Sequence, residues 1–302
     1  MIFRSEACLV TIVALTVGMG AGCPQMLAPY TQQAPRLLSP GASLQEVMQV
    51  VNNNSAIIHS LMAPNASVRV ASMPALKSQI AFQRPRRFRL VASFMGPVVD
   101  LGSNDELFWF WNRSEEPSVV LFARHSEYAN SPARNVFPIE PDWLSEAFGV
   151  IDFDPMDEHL GPYQDTPGRL RIVTRRRGVA GNVQRVVVVD DATGWVLEQH
   201  LYRGEQLIAS SRSSGHRLDP ITGAVLPRYV DVEWTAPGAG PVKLHIDLGQ
   251  VLINNPATDM PQRWAMPRGI EGSKYIDLAR TGQYANRQGV SSKSIQPLSP
   301  GR

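Results

Sequence analysis

The sequence predicts a mainly β protein of the α+β class, with a mostly antiparallel sheet and one or two helices. From residue 67 onward, apolar residues recur with the period of two that is typical of strands. Short turn-forming segments, such as 190–194 and 237–240, separate these runs and favour a meander of hairpins. A helical period is confined to residues 43–61 and 141–148.

The N-terminus has the layout of a secretory signal. A short start containing Arg4 precedes the apolar run 9–17, which is too short to cross a bilayer, and small residues lead to Cys23. Ala21-Gly22-Cys23 resembles the end of a lipobox, at which a lipoprotein precursor is acylated on Cys and cleaved. Because Gly20 stands where that motif usually has Leu, ordinary cleavage and an uncleaved anchor with a coincidental Cys remain open alternatives. We expect lipidation at Cys23.

The cysteine content agrees with a lipid anchor. The chain contains two cysteines, and Cys8 would leave with the signal, so Cys23 would be the lone thiol of an exported protein and is best used as an acyl acceptor. The proline-rich segment that follows shows no hydrophobic period and is interpreted as an extended tether. The predicted organisation is a signal peptide at 1–22, a lipidated Cys and tether at 23–42, a folded domain at 43–282 and a disordered tail at 283–302.

Composition argues against several classes of function. A net charge of +2 with 19% charged residues gives no basic field, so nucleic acid is not an expected partner. The chain lacks the sequence signatures of common serine hydrolases, zinc proteases and phosphate-binding loops. Its six histidines form no i, i+4 pair, and the acidic cluster at 152–158 is interpreted as a solvated connection rather than a calcium or acid–base site. We therefore expect no catalytic residues, no metal and no cofactor.

The first helix is predicted over 43–61. Ser43 and Glu46 form a capping box, and Leu44, Val47, Met48, Val51, Ile58 and Leu61 fall on one helical face. A second, weakly held helix is predicted over 141–148, where Trp143, Leu144, Ala147 and Phe148 make a narrow apolar stripe.

The strand pattern is clearest between residues 84 and 122. Phe88, Leu90, Ala92 and Phe94 alternate with Arg87, Arg89, Val91 and Ser93. The runs 107–111 and 119–122 are apolar on both faces, as expected for strands covered on one side by a helix that line an apolar interior on the other.

The order of features at 84–112 resembles the periplasmic lipoprotein carriers and receptors, the LolA and LolB-like family. Arg84-Pro85-Arg-Arg-Phe88 leads a strand, a polar turn is predicted at 102–105, and an aromatic strand Leu107-Phe108-Trp109-Phe110-Trp111 follows. In that family an Asp-Gly pair stands directly before the aromatic strand, whereas this chain has Asp105-Glu106. With the leading helix and the interrupting helix, the resemblance covers residues 43–255.

The resemblance implies a strongly curved, incomplete β-barrel, or half-barrel, whose concave side is apolar and closed by helices. Its ligand would be acyl chains, and the Arg before the Pro, here Arg84, would bond to the lid. Trp143 and Phe148 are candidate lid residues. Arg84 is otherwise one member of a basic turn with Arg86 and Arg87, and the second helix is otherwise an ordinary helix docked on a core.

Candidate cavity-lining residues follow from shared strand faces: Phe88, Leu90, Phe94, Phe108, Phe110 and Leu121, with Val119 as a further continuation. The alternative is that these residues are simply core beneath the first helix.

The leading hypothesis is a non-enzymatic, membrane-anchored lipoprotein of the periplasmic side of the cell envelope, on the outer membrane in preference to the inner. It would bind acyl chains of lipids or lipoproteins, with a carrier protein as a further partner. The alternative is a structural lipoprotein that docks a protein partner in an envelope complex and has a filled core. An enzyme is the third reading, and it would need polar groups converging in a pocket.

Overall fold

Two antiparallel meanders meet edge to edge in one sheet. The computed structural model describes residues 35–70, 74–113, 117–128, 131, 141–178, 181–235 and 241–280. The predicted signal peptide, Cys23, the first part of the tether and the predicted tail lie outside the described residues. None of the helices in the described ranges is long and apolar enough to cross a membrane.

The first meander consists of β1 (Ser60–Val70), β2 (Leu76–Gln83), β3 (Arg87–Ser93), β4 (Pro97–Ser103), β5 (Leu107–Asn112) and β6 (Val119–Arg124). The second consists of β7 (Glu158–Thr166), β8 (Arg169–Gly178), β9 (Gly181–Asp190), β10 (Val196–Arg203), β11 (Gln206–Ser214), β14 (Tyr229–Thr235) and β15 (Pro241–Asp247). β12 (Arg217–Leu218) and β13 (Val225–Leu226) form a separate hairpin.

The two meanders are joined where β1 pairs with β15. β16 (Leu252–Ile253) also pairs with β1, and β17 (Lys274–Asp277) adds the one parallel pairing within the described sheet, alongside β6. β17 and β7 are the edges of the described sheet, which is curved but not closed into a barrel. The predicted mainly β, curved and mostly antiparallel fold class is confirmed.

Three helices complete the described secondary structure: α1 (Leu44–Ile57), α2 (His125–Tyr128) and α3 (Pro141–Ala147). Two short 3-10 turns follow β16, at Pro256–Thr258 and Pro261–Trp264. α1 begins where the capping box predicts, because Ser43 Oγ accepts a hydrogen bond from Glu46 N at 3.2 Å. The side chain of Glu46 accepts instead from Ser39 N at 3.0 Å.

The predicted end of the first helix is wrong, because Leu61 lies in β1 rather than on the helix. The helix ends at Ile57 because tertiary hydrogen bonds hold the residues that follow it. The Asn254 amide accepts hydrogen bonds from His59 N and Ser60 N and donates to Ile57 O at 2.7 Å. This amide comes from the far end of the chain, so local periodicity could not reveal it.

Three further predictions need correction. The predicted connection at 152–158 ends in strand β7, which begins at Glu158 and tolerates Pro162 because it lies at a sheet edge and shifts register between Leu160 and Tyr163. The run 242–253, which its alternating apolar residues favour as one strand, is divided into β15 and β16 by a turn in which Gly249 has φ of 61°. The turn expected at 102–105 begins later, since Gly102 and Ser103 belong to β4.

We call the face of the sheet that α1 and α3 cover the inner face. In the second meander, α1 packs on it through Val47 and Val51, which contact a buried cluster containing Ile151, Phe153, Ile172, Val187, Val189 and Val196. The larger cluster under α3 contains Leu61, Ile80, Phe82, Phe88 and Leu90 of the first meander and Ala209, Val230 and Val232 of the second. α1 therefore packs on the second meander, whereas α3 reaches strands of both meanders.

The opposite, outer face is covered beside β3–β6 by the segment that follows the 3-10 turns. Met266 and Ile270 pack against Trp109, Trp111 and Val120. Three hydrogen-bonded side chains, Asp100, Trp109 and Arg89, lie beneath this covering segment, and we call them the polar bracket. Asp100 accepts a hydrogen bond from Trp109 Nε1 at 2.9 Å and from two nitrogens of Arg89, at 3.2 and 2.6 Å. Arg89 also donates to the backbone oxygen of Arg263 at 2.7 Å, which holds the second 3-10 turn, just before the covering segment, to the sheet.

Candidate functional site

Strand register places five of the six predicted cavity residues on one face. Residues directly opposite in an antiparallel pair share a face, and Phe88 is opposite Ser103, which is opposite Phe108. In the next row, Leu90 is opposite Leu101, followed by Phe110 and Leu121. These rows belong to the inner face.

The five residues differ in what covers them. Phe88 and Leu90 are buried in the cluster with α3. Phe108 is buried beside α2, where its ring lies 4.8 Å from that of Tyr128, edge to face, and Leu121 packs against the same cluster. Phe110 is half-buried between its row neighbours.

The sixth residue, Phe94, is not brought to this face. β3 ends at Ser93, and Phe94 begins the tight turn to β4, where its backbone N–H donates to Gly96 O at 2.9 Å. Its side chain is 65% exposed. The alternation of apolar residues continues to Phe94, beyond the end of β3. The pattern alone therefore did not reveal where the strand ends.

Both candidate lid residues lie on the inner face. Trp143, Leu144 and Ala147 of α3, and Phe148 directly after it, are buried in the same cluster as Phe88. The rings of Phe148 and Phe88 stack with centroids 6.2 Å apart and planes 17° from parallel. The short helix therefore covers an apolar wall with large apolar side chains of its own.

Arg84 ties the two covering helices to each other. Its Nε donates to Ile58 O at 2.9 Å, and its Nη2 donates to the hydroxyl and carbonyl oxygens of Ser55 at 2.7 and 3.0 Å, at the end of α1. The same guanidinium makes an ion pair with Asp152, just beyond α3. Of the acidic cluster at 152–158, Asp152 is thus paired with this arginine, and Glu158 lies 3.5 Å from Arg175.

The connection after α3 is also held directly by α1. The Asn52 side chain accepts a hydrogen bond from Phe153 N at 2.8 Å and donates to Phe153 O at 3.0 Å. Asn54 makes the same pair of bonds to the backbone of Val225. One helix thereby fixes both the exit from α3 and the hairpin strand β13.

Arg87, another basic residue of this turn, faces away from α3. It pairs with Asp105, with Nη2 2.6 Å from Oδ2, and this guanidinium lowers the pKa of Asp105 from its usual range. Since Arg87 and Phe88 are neighbours on a strand, their side chains point to opposite faces. Only Arg84 of the two reaches α1 and the end of α3.

Sequence reasoning missed a polar group within the inner face, formed by Arg185, Gln199 and Glu146. Arg185 on β9 is 2% exposed, and its Nη1 lies 2.9 Å from Glu146 Oε2 on α3. Gln199 on β10 is fully buried and donates to the backbone oxygen of Glu146. The available signal was the alternation of β9, which puts Arg185 on the same face as the buried Val187 and Val189.

Within the described ranges, no three His, Cys, Asp or Glu side chains are grouped as metal ligands would be. The inner-face arrangement is thus an apolar wall, a short apolar helix covering it, and one buried ion pair between helix and sheet. Such a surface can hold apolar chains if the helix moves aside.

No protein-family model matches the sequence, and no curated protein is significantly similar to it. Two solved structures are similar in fold. One is an outer membrane lipoprotein-sorting protein domain from Vibrio parahaemolyticus, with 9% identity over 69% of this chain and 92% of that chain and a TM-score of 0.46. The other is a LolA superfamily protein from Nitrosomonas europaea, with 12% identity over 72% and 97% and a TM-score of 0.41.

Proposed function

We propose that this chain is a non-enzymatic lipoprotein of the cell envelope, anchored through Cys23, that binds acyl chains of lipids or lipoproteins on its inner face. α3 is the lid. The observation that supports this most is the apolar wall around Phe88, on which a helix of only seven residues packs.

Burial energies favour exchange of this helix for lipid. Burying Trp143, Leu144 and Phe148 stabilises the closed lid by about 5–9 kcal/mol, at about 1.5–3 kcal/mol for each side chain. An acyl chain of about 16 carbons gains about 12 kcal/mol when it leaves water, at about 0.8 kcal/mol per methylene. Association itself costs about 4–15 kcal/mol, so opening the lid and association together cost about 9–24 kcal/mol, which one chain does not offset over most of that range and two chains, at about 24 kcal/mol, do.

Anchorage favours a receptor over a shuttle. A protein acylated at Cys23 stays within reach of its tether, so it would accept or present cargo at one membrane. The outer membrane is the preferred site, and a soluble carrier protein is the expected donor.

The proposal predicts that the mature chain, with Cys23→Ser to keep it free of membrane, gains mass in native mass spectra when offered a diacylated peptide or a phospholipid. Phe110→Asp is expected to abolish the gain, because it puts a charge on the half-buried inner face. Phe122→Asp is the matched control, since Phe122 is a half-buried Phe on the adjacent strand that packs toward the outer face. A folded protein that gains no mass with either lipid contradicts acyl binding.

Arg84 is expected to hold the lid closed. Arg84→Gln removes the ion pair to Asp152 and should raise the rate of uptake of a pyrene-labelled phospholipid by roughly tenfold, measured by stopped-flow fluorescence. Arg87→Gln removes a comparable exposed ion pair that touches neither helix, and it should leave the rate within about twofold. Equal rates for the two variants would show that Arg84 is only part of a basic turn.

Docking of a protein partner remains the second candidate, because α3 fills the inner face beneath it as a docking lipoprotein would require. A groove of about 860 Å³ on the outer face supports this reading. Its described lining includes Lys77 and Arg263, together with Arg89, which is already paired with Asp100, but no acidic residue, so it fits an acidic segment of a partner. Absence of lipid in the mass spectra, together with binding of an acidic peptide, would favour this candidate.

A further inference from the structure

A buried cation lies on the wall that the proposed lid covers. Arg185 is 2% exposed, and in register it is opposite Thr174 on one side and Leu201 on the other. A guanidinium stays charged at every physiological pH, so its burial requires a negative or polar partner. The identity of that partner therefore determines which ligands the inner face can bind.

The charged partner of Arg185 comes from the lid. Glu146 Oε2 lies 2.9 Å from Nη1 in a geometry outside that of a hydrogen bond, so the contact is an ion pair. Nη2 donates to the backbone oxygen of Asp152 at 3.0 Å, just after α3. The guanidinium also lies over the ring of Phe153, 5.5 Å from its centre. These contacts belong to α3 and its exit, whereas Arg185 belongs to the sheet.

Some buried polar atoms at this ion pair make no hydrogen bond. In the described part of the chain, Arg185 Nε and Gln199 Oε1 are buried without a hydrogen-bond partner. Native proteins leave few buried polar atoms in this state. An anion-binding position on the sheet would contain a buried donor such as Arg185. While the lid is closed, the carboxylate of Glu146 would occupy that position.

We propose that the cargo is an anionic amphiphile, whose acyl chains lie on the wall at Phe88 and Leu90 and whose head group takes the place of Glu146 beside Arg185. This rests on the proposed function. When α3 moves aside, its carboxylate leaves and the guanidinium stays, so a lipid without negative charge leaves that cation without the carboxylate that pairs with it. Glu146 and Phe148 are two residues apart, so the cation and the wall lie within one helical turn of each other.

The test compares lipids with the same chains and different head groups on the mature Cys23→Ser protein. Dioleoylphosphatidylglycerol is expected to bind roughly tenfold or more tightly than dioleoylglycerol, because a charge-assisted bond replaces the lid contact. Palmitate against hexadecanol makes the same comparison for a fatty acid. Preference within the first pair identifies an anionic phospholipid as the source, and preference within the second pair alone identifies a fatty acid. Equal affinities within both pairs overturn the inference, whereas no binding at all overturns the proposed function.

Variants test the residue. Arg185→Gln is expected to reduce the preference for the anionic lipid to about twofold or less, while Arg212→Gln, at a 72% exposed position on the outer face, should retain it. If Arg185→Gln does not fold, Glu146→Gln provides the second measurement. It removes the competing carboxylate and should increase the affinity for the anionic lipid several-fold. An unchanged or lower affinity in folded Glu146→Gln overturns the assignment.

Discussion

Replacing Asp100 by Ala is expected to lower the free energy of unfolding by about 3–5 kcal/mol, because it removes one partner of a buried ion pair. The side chain of Asp100 is 7% exposed, and that of Arg89 is 20% exposed. Without the carboxylate, the guanidinium loses two hydrogen bonds and Trp109 Nε1 loses its acceptor inside the protein. Urea unfolding followed by tryptophan fluorescence measures the loss.

Asp231→Ala is the matched control for this change. Asp231 also pairs with a basic side chain, since its Oδ1 lies 2.7 Å from His245 Nδ1, but it is 62% exposed. The cost there should be less than about 1 kcal/mol. Similar losses at the two positions would mean that the bracket beneath the covering segment contributes no more than a surface pair.

Gly102→Ala is expected to cost about 3 kcal/mol or more, because the indole of Trp109 occupies the space of the missing side chain. A Cβ at Gly102 would lie 2.6 Å from Trp109 Cη2, with two further ring atoms still closer. The ring cannot withdraw easily, since Trp109 is fully buried and its Nε1 is bonded to Asp100. Thermal unfolding should show a lower midpoint.

A double-mutant cycle separates this clash from a general effect on the strand. In a Trp109→Phe background, whose smaller ring leaves room, the same Gly102→Ala change should cost less than about 1 kcal/mol. Additive losses of stability in the cycle would show that Gly102→Ala acts through the backbone of β4 and not through contact with the indole.

Sequence patterns were sufficient to predict the elements that are determined by residues close together in the chain. The capping box set the start of α1, and alternation with short turns predicted most strands and the fold class. The prediction failed where distant groups decide the conformation. Asn254 ends α1, and the sheet edge permits Pro162 in β7.

The candidate site shows the same division. Alternation correctly put Phe88 and Leu90 on one face, although it does not record where β3 ends, so it also included Phe94. Whether this face is a cavity or a core cannot be read from alternation, because both need apolar residues there. Arg185 was visible as a charge among inward-facing valines, but its partner on α3 is 39 positions earlier in the chain, and only the fold brings them together.

The seam between β1 and β15 has a consequence for how the chain reaches this fold. Each meander joins strands that are neighbours in the sequence, whereas the seam pairs residues such as Val68 and Ile246, roughly 180 positions apart. During synthesis, β1 therefore has a free edge until nearly the whole domain has emerged, and free strand edges recruit other chains. The slow step of folding and the interval of greatest risk of aggregation coincide at this seam.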